Sequence, residues 1–299
     1  MFQKIEELKD SAILKGKKRI AIAAAEDSYV IGAIKKAKEL GVIAPIFVGD
    51  KNIIKQIGIR ENNEVDENEI VHIPDNEQAC MEAIRLVSNG NADILMKGLV
   101  PTGIFLKQVV KEEYNLLTGN LLSHFALFES PNYHKLFGLS DAAMNISPTL
   151  DEKASIVRNA VDVMHLLGLT CPKVAVLAAV EKVNPKMTAT IDANELKLMA
   201  KKGLFGVCLV DGPLALDNAI SAEAAHHKGI ESLVAGEADI LIAPDLQSGN
   251  ILYKSLDFLG KARCAAIVAG SRVPIVLTSR ADSEETKFLS IILGVLCSR

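Results

Sequence analysis

The sequence contains no tryptophan, and its aromatic share is only 4% of 299 residues. A core for a chain of this length must therefore come from alanine, valine, isoleucine and leucine, which suits parallel strands covered by helices on both faces. The same shortage argues against binding single-stranded nucleic acid by stacking bases on aromatic rings. Charge of one sign is also missing: 33 Lys and Arg against 37 Asp and Glu leave a net charge of -4. That balance excludes a strongly basic nucleic-acid binder but permits a local basic patch for a phosphorylated substrate. No apolar run approaches the ~18 residues that span a bilayer, and the stretch from Met1 to Lys18 is charged throughout. The expectation is a cytoplasmic protein with no membrane partner. The five cysteines, Cys80, Cys171, Cys208, Cys264 and Cys297, include no C-x-x-C pair and are read as small buried hydrophobes in a reducing compartment.

What is present is an ordinary globular balance, 49% hydrophobic and 23% charged, with enough chain for one large domain or two of ordinary size. Short apolar runs predict strands over 19–25, 43–48, 70–73, 92–96, 121–128, 135–139, 174–180, 206–210, 238–243, 265–269 and 274–278. Helices are expected between them, over 28–40, 76–88, 188–202, 218–228, 250–259 and 283–296, and from Pro148-Thr149-Leu150-Asp151 to Gly168. Such alternation predicts an α/β chain with a mostly parallel sheet. The Pro148 region marks the best domain boundary.

Polar residues gather behind the expected strands, where open α/β sheets place their ligands. Behind 274–278 come Ser279-Arg280-Ala281-Asp282-Ser283-Glu284-Glu285. A hydroxyl, a guanidinium and a capped helix N-terminus converge there, which suits an anion or a developing oxyanion. A capped helix with a surface arginine is the plainer alternative. Behind 92–96, Lys97-Gly98 lead to a helix opened near Pro101-Thr102. Gly98 and Gly103 fit G-x-x-x-x-G, yet Ile104 and Phe105 stand where a nucleotide-binding P-loop has Lys and Ser or Thr. A phosphate-holding turn or an ordinary connection remains. Behind 238–243 lie Asp245, Gly249, Asn250 and Lys254, Asp245 fitting a base, a metal ligand or a helix cap. Asp211-Gly212-Pro213 and Asp217 carry the same ambiguity. His226 and His227 point to different faces of one helix, poor geometry for a metal. The first strand is followed by Ala24-Ala25-Glu26-Asp27 rather than G-x-G-x-x-G, and no G-x-S-x-G occurs, which lowers dinucleotide binding and hydrolase triads.

Five segments in order resemble the phosphate acetyltransferase and phosphate butyryltransferase family, the butyryl branch most of all. They are Ala92-Asp93-Ile94-Leu95-Met96-Lys97-Gly98, Leu139-Ser140-Asp141-Ala142-Ala143-Met144-Asn145, Asp211-Gly212-Pro213-Leu214-Ala215-Leu216-Asp217, Ala238-Asp239-Ile240-Leu241-Ile242-Ala243-Pro244-Asp245 through Gly249-Asn250, and Thr278-Ser279-Arg280-Ala281-Asp282. The resemblance implies a fold like the isocitrate and isopropylmalate dehydrogenases: two α/β/α domains, 1–148 with 269–299 and then 149–268, with the active site in the cleft. It implies reversible transfer of a short-chain acyl group between CoA and inorganic phosphate by direct attack in a ternary complex. Butyryl is the expected group and acetyl the alternative. No metal and no bound cofactor are expected, coenzyme A being a substrate, and the resemblance implies a homo-oligomer, at least a dimer.

By the same resemblance Arg280 holds the phosphoryl group and Ser279 supports the thiolate. The acetyl branch uses an acid soon after this pair to take the thiol proton; counted without gaps, that position is Thr286 here, so Asp282 and Glu285 are the expected substitutes. That branch also places an arginine near the segment that runs here from Asp141 to Asn145, which has none; Lys97 and Lys254 are expected to meet the substrate anion instead. Gly98, Thr102, Ser123, Asp141, Asn145, Asp245 and Asn250 complete the expected substrate-binding set. Two other readings are a metal- and NAD-dependent hydroxyacid decarboxylase with Asp239 and Asp245 as ligands, and an acyl-CoA binding protein without turnover.

Overall fold

The computed structural model describes residues 2–279 and 281–299. The chain forms two compact units: a terminal unit of residues 6–119 and 265–299, and a central unit of residues 120–264 joined by the N-terminal segment up to Ile5. The terminal unit runs through α1 (Glu7–Lys15), β1 (Lys18–Ala23), α2 (Ser28–Glu39), β2 (Ile43–Gly49), α3 (Lys51–Arg60), β3 (Ile70–His72), α4 (Asn76–Ser88), β4 (Ile94–Lys97) and α5 (Thr102–Val109). The central unit holds β5 (Ser123–Glu129), β6 (Phe137–Ser140), α6 (Leu150–Leu166), β7 (Lys173–Leu177), α7 (Thr188–Lys201), β8 (Leu209–Leu214), α8 (Leu216–Ile220), α9 (Ala222–His227), β9 (Ile240–Ile242) and α10 (Leu246–Lys254). The chain returns through β10 (Arg263–Ala269), β11 (Ile275–Val276) and α11 (Glu284–Cys297).

In the terminal unit the strand order is β3-β2-β1-β4-β11-β10, parallel except for β10 against β11. In the central unit it is β5-β6-β9-β7-β8, parallel except for β5 against β6. Central strands are buried along successive residues, as from Ile20 to Ala23 in β1 and from Ile94 to Lys97 in β4. Continuous burial is what a strand covered on both faces requires, and it explains why these runs do not alternate with polar residues. The expected α/β class with a mostly parallel sheet is the observed one. Helix entries follow the sequence signals: Asp27 accepts from the Val30 amide at 2.9 Å, and Thr149 with Glu152 closes a capping box on α6. Among the described residues no helix is long and apolar enough to cross a membrane.

The chain passes from the central to the terminal unit after Ile5 and back after Gly119, where the expected boundary lies near 148. The reason is strand pairing: β5 pairs with β6, and β6 with β9, which draws the segment from residue 120 onward into the central unit. Pro148 therefore opens a helix within a unit. The helix expected over 218–228 breaks at Ser221, whose extended backbone (φ -121°, ψ 115°) ends α8 and whose hydroxyl caps α9. The expected series omits α1 and α3, although Asp50 caps α3 in the ordinary way.

A buried ion pair fixes the start of β9. The Asp239 carboxylate accepts from Lys135 Nζ at 2.7 Å and from the Lys173 amide at 2.8 Å, and Lys135 also donates to the Glu237 carbonyl at 2.8 Å. Without Asp239, Lys135 keeps only the more exposed Glu237 carboxylate, at 3.6 Å, as an anionic partner, and the Lys173 amide loses its acceptor. Asp239→Ala is thus expected to lower stability by about 3–5 kcal/mol in urea unfolding at neutral pH. A loss below about 1 kcal/mol, the range of a surface pair, would contradict this.

Candidate active site

Register brings three strand ends together in the terminal unit. Ala23 pairs with Lys97, and Val276 with Met96, so β1, β4 and β11 stop side by side at their C-terminal ends. The Gly98 amide donates to the Ala23 carbonyl at 2.8 Å, and the Leu99 amide to the Ala24 carbonyl at 2.7 Å. A Cβ at residue 98 would run into the carbonyl oxygens of Ala24 and Ala23, so only glycine fits this approach. Lys97 is 4% exposed, and its ammonium donates to the carbonyls of Gly98 at 2.9 Å and Val100 at 3.2 Å. These two bonds tie the ammonium to its own turn. Thr102 is exposed at the first position of α5.

Behind β11 the loop from Thr278 is built around Ser279. The Asp282 carboxylate accepts the Ser279 amide proton at 2.6 Å, the Ala281 amide donates to Ser279 Oγ at 3.3 Å, and Lys287 Nζ donates to the Ser279 carbonyl at 2.8 Å. Ser279 itself is exposed. Arg280 lies outside the described residues. Asp282 is buried, with its carboxylate on backbone. Thr286 is tied into the cap of α11, its amide donating to Ser283 Oγ at 3.1 Å. Glu284 pairs with Lys36 at 2.7 Å, while Glu285 stays exposed on the first turn. Of the two expected acids, Glu285 is the one that meets solvent.

The central unit assembles the second group at the ends of β6 and β9. Asp141 is 3% exposed; one of its oxygens accepts the amides of Ala143 at 2.8 Å and Met144 at 3.0 Å, and the other accepts the Asn145 side-chain amide at 2.5 Å. Asn145 Nδ2 also donates to the Leu122 carbonyl at 3.0 Å, and Asn250 Nδ2 to the Ala142 carbonyl at 3.0 Å. Gly249 lies against this loop, where a Cβ would strike the Asp141 carbonyl. Asp245 caps α10 by accepting the Ser248 amide at 2.8 Å. Four expected residues, Asp141, Asn145, Asp245 and Asn250, thus come together, with their side chains largely engaged in shaping the loop.

Ser123 is fully buried, its hydroxyl accepting from Asn159 Nδ2 at 2.9 Å, so it packs inside the unit. Lys254 sits at the far end of α10, about 13 Å along the axis from its cap, with its ammonium over the rings of Tyr253 and Phe258. Asp239 and Asp245 flank β9 at opposite ends, about 20 Å apart along an extended chain, and Asp239 is held by Lys135, so the two cannot share a metal. Among the described residues no group of three or more His, Cys, Asp or Glu is placed to hold a metal ion.

Two lysines escaped sequence reasoning. Lys287 is 2% exposed below Ser279, and buried Lys153 pairs with Asp192 at 2.6 Å. The available signal was a lysine in line with an apolar stripe: Lys153 with Ile156, Val157 and Ala160, and Lys287 with Ile291 and Val295.

Comparison with known proteins bears directly on both groups. Residues 74–295 match the family described as phosphate acetyl/butaryl transferase. The chain belongs to this family. The matched span contains all five ordered segments, with the ends of β4, β6, β9 and β11 among them, while the end of β1 precedes it. A phosphate butyryltransferase of Clostridium acetobutylicum is 46% identical over 282 residues, 94% of each chain. A phosphate acetyltransferase of Thermotoga maritima is 45% identical over 292 residues, 98% of this chain and 99% of that one. A crystal structure of a branched-chain phosphotransacylase from Enterococcus faecalis superimposes with a TM-score of 0.82 at 37% identity, covering 94% of this chain and 98% of that one.

The Asp245 cap gives the site a pH signature. Its pKa is held below the ordinary carboxylate value, first by the Ser248 amide. A depressed carboxylate stabilises the fold above its unfolded pKa and loses that contribution as pH falls through the lower folded value. Asp245→Ala is therefore expected to cost about 1 kcal/mol at neutral pH, the difference from the parent shrinking below pH ~4. An equal difference at neutral and acid pH, read by thermal unfolding, would contradict the cap's ionisation.

Proposed function

We propose that this chain transfers a butyryl group reversibly between CoA and inorganic phosphate, by direct attack while both substrates are bound. The observation that carries the reading is the family match across residues 74–295, which contains the Ser279 loop and the loops after β4, β6 and β9. When thiolate attacks the acyl phosphate, or phosphate attacks the thioester, negative charge grows on the carbonyl oxygen and on the departing group. The exposed Ser279 hydroxyl sits on a backbone held from two sides, and such fixed donors need no reorganisation as charge develops. Arg280 follows it in sequence and holds the phosphoryl group in this reading, a planar guanidinium matching phosphate oxygens in pairs. In this reading Glu285, exposed on the first turn of α11, takes the thiol proton.

Ser279 acts without forming an acyl bond. A serine nucleophile needs an adjacent base, whereas Ser279 Oγ accepts an amide proton from Ala281, and no histidine ring or carboxylate among the described residues hydrogen-bonds to it. Acetyl transfer is the second reading, favoured by the Thermotoga acetyltransferase at 45% identity. Two further methylenes buried in an apolar pocket contribute about 1.6 kcal/mol, roughly a 15-fold preference for butyryl over acetyl.

The test is release of free thiol from acetyl- through valeryl-CoA with and without phosphate. Phosphate-dependent release, fastest near butyryl, is expected; acyl-CoA binding without release would leave a binding protein and refute transfer. In the same assay Arg280→Ala and Glu285→Gln are each expected to slow turnover by about 10²-fold or more. A near-normal rate in a folded variant removes that residue from the chemistry.

A further inference from the structure

We propose that Lys287 is a positioning residue for acyl transfer, clamping the carbonyl of Ser279 while Asp282 holds the amide of the same residue. The two side chains grip one residue at both of its backbone polar groups, at 2.8 Å and 2.6 Å, and Lys287 Nζ also reaches Thr278 Oγ1 at 3.4 Å. The proposal rests on the phosphate acyltransfer reading of this loop.

The position of these residues in the helix entry is the decisive point. Ser283 is the N-cap of α11, so Asp282 is the residue before the cap and Lys287 the fourth helical residue. Those two places commonly hold an apolar pair that fixes the entry of the chain, the hydrophobic staple. Here they hold an acid and a base, both buried, and both turned toward Ser279. An apolar pair would fix the helix with no charge to desolvate, so stability alone does not account for the choice. From Lys287 to Cys297 every residue of α11 is buried, and Lys287 is the one charged side chain in that run. Burial lowers its pKa, and the carboxylates of Asp282 and Asp27 oppose that shift. Asp27 caps α2 just beyond β1, so the ammonium is matched by an acid from each of two elements that border the strand ends. The consequence is local: the serine hydroxyl leaves a backbone whose carbonyl and amide are both fixed.

The experiment compares Lys287→Met, close in length and shape, with the double variant Lys287→Met/Asp282→Leu, which restores an apolar staple. Both are assayed in the full-length chain with butyryl-CoA and phosphate. Lys287→Met is expected to lower kcat about 100-fold, the effect of a misplaced reacting group, with KM for both substrates changed less than about threefold and the unfolding midpoint lowered, because Asp282 is left buried without its cation. The double variant is expected to unfold no earlier than the parent and to remain as slow as the single variant. A merely structural role gives the opposite result, since a rebuilt staple would restore kcat. A kcat within about threefold of the parent, in either folded variant, overturns the proposal, and the double variant decides the matter if Lys287→Met does not fold. If the parent chain releases no thiol with phosphate, the acyltransfer reading itself fails and the role of Lys287 fails with it.

Discussion

Parallel strands that stop side by side leave backbone amides and carbonyls at a buried edge, and every one of them needs a partner. Much of the site is a set of answers to that demand. Gly98 lets the turn after β4 lie against the carbonyls of Ala23 and Ala24. Lys97 caps the carbonyls of that turn from within. Asp141 gathers the amides of the loop after β6, and Gly249 lets α10 approach that loop closely. Around Ser279 the same demand is met by two buried side chains, one for each polar backbone group. Each of these loops is thus held for a reason that precedes chemistry.

This arrangement explains how a chain with a net charge of -4 can serve anionic substrates. Cations are few near the strand ends, and those that the structure describes, Lys97, Lys153 and Lys287, are turned inward to hold protein groups. The framework therefore depends on buried charge to keep neutral donors in place, and the charge offered to substrate falls to Arg280 in the proposed mechanism. Fixed dipoles in a dry setting stabilise developing charge more than mobile ones in water do, which makes rigidity itself a catalytic quantity.

Much of the fold could be read from residues alone because its signals are local. Each expected apolar run overlaps a strand, and Asp27, Asp75, Thr149, Asp245 and Ser283 cap helices through their own side chains. β8 runs through Asp211-Gly212-Pro213, a segment with the look of a turn; the missing proline donor is tolerated because β8 is an edge strand. What stayed hidden depends on partners distant in sequence. The pairing of β6 with β9 moved the unit boundary by nearly thirty residues, from 148 to 119. Side-chain direction was hidden too: nothing in the segment around Lys97 tells whether its ammonium points to solvent or to its own turn, and Ser123 reads as polar and accessible until Asn159 is seen beside it. Lys287 was missed because an apolar helix stripe draws attention away from the one residue that interrupts it.

The central claim is that the acyl group passes directly between thiol and phosphate, with Ser279 as a fixed donor and never as its carrier. Isotope exchange tests this most directly: the protein is incubated with butyryl phosphate and labelled inorganic phosphate in the absence of CoA. No label is expected to enter butyryl phosphate until CoA is added. Label entering without CoA, at a rate comparable to turnover, would mean that the enzyme holds the acyl group itself, and would contradict the account.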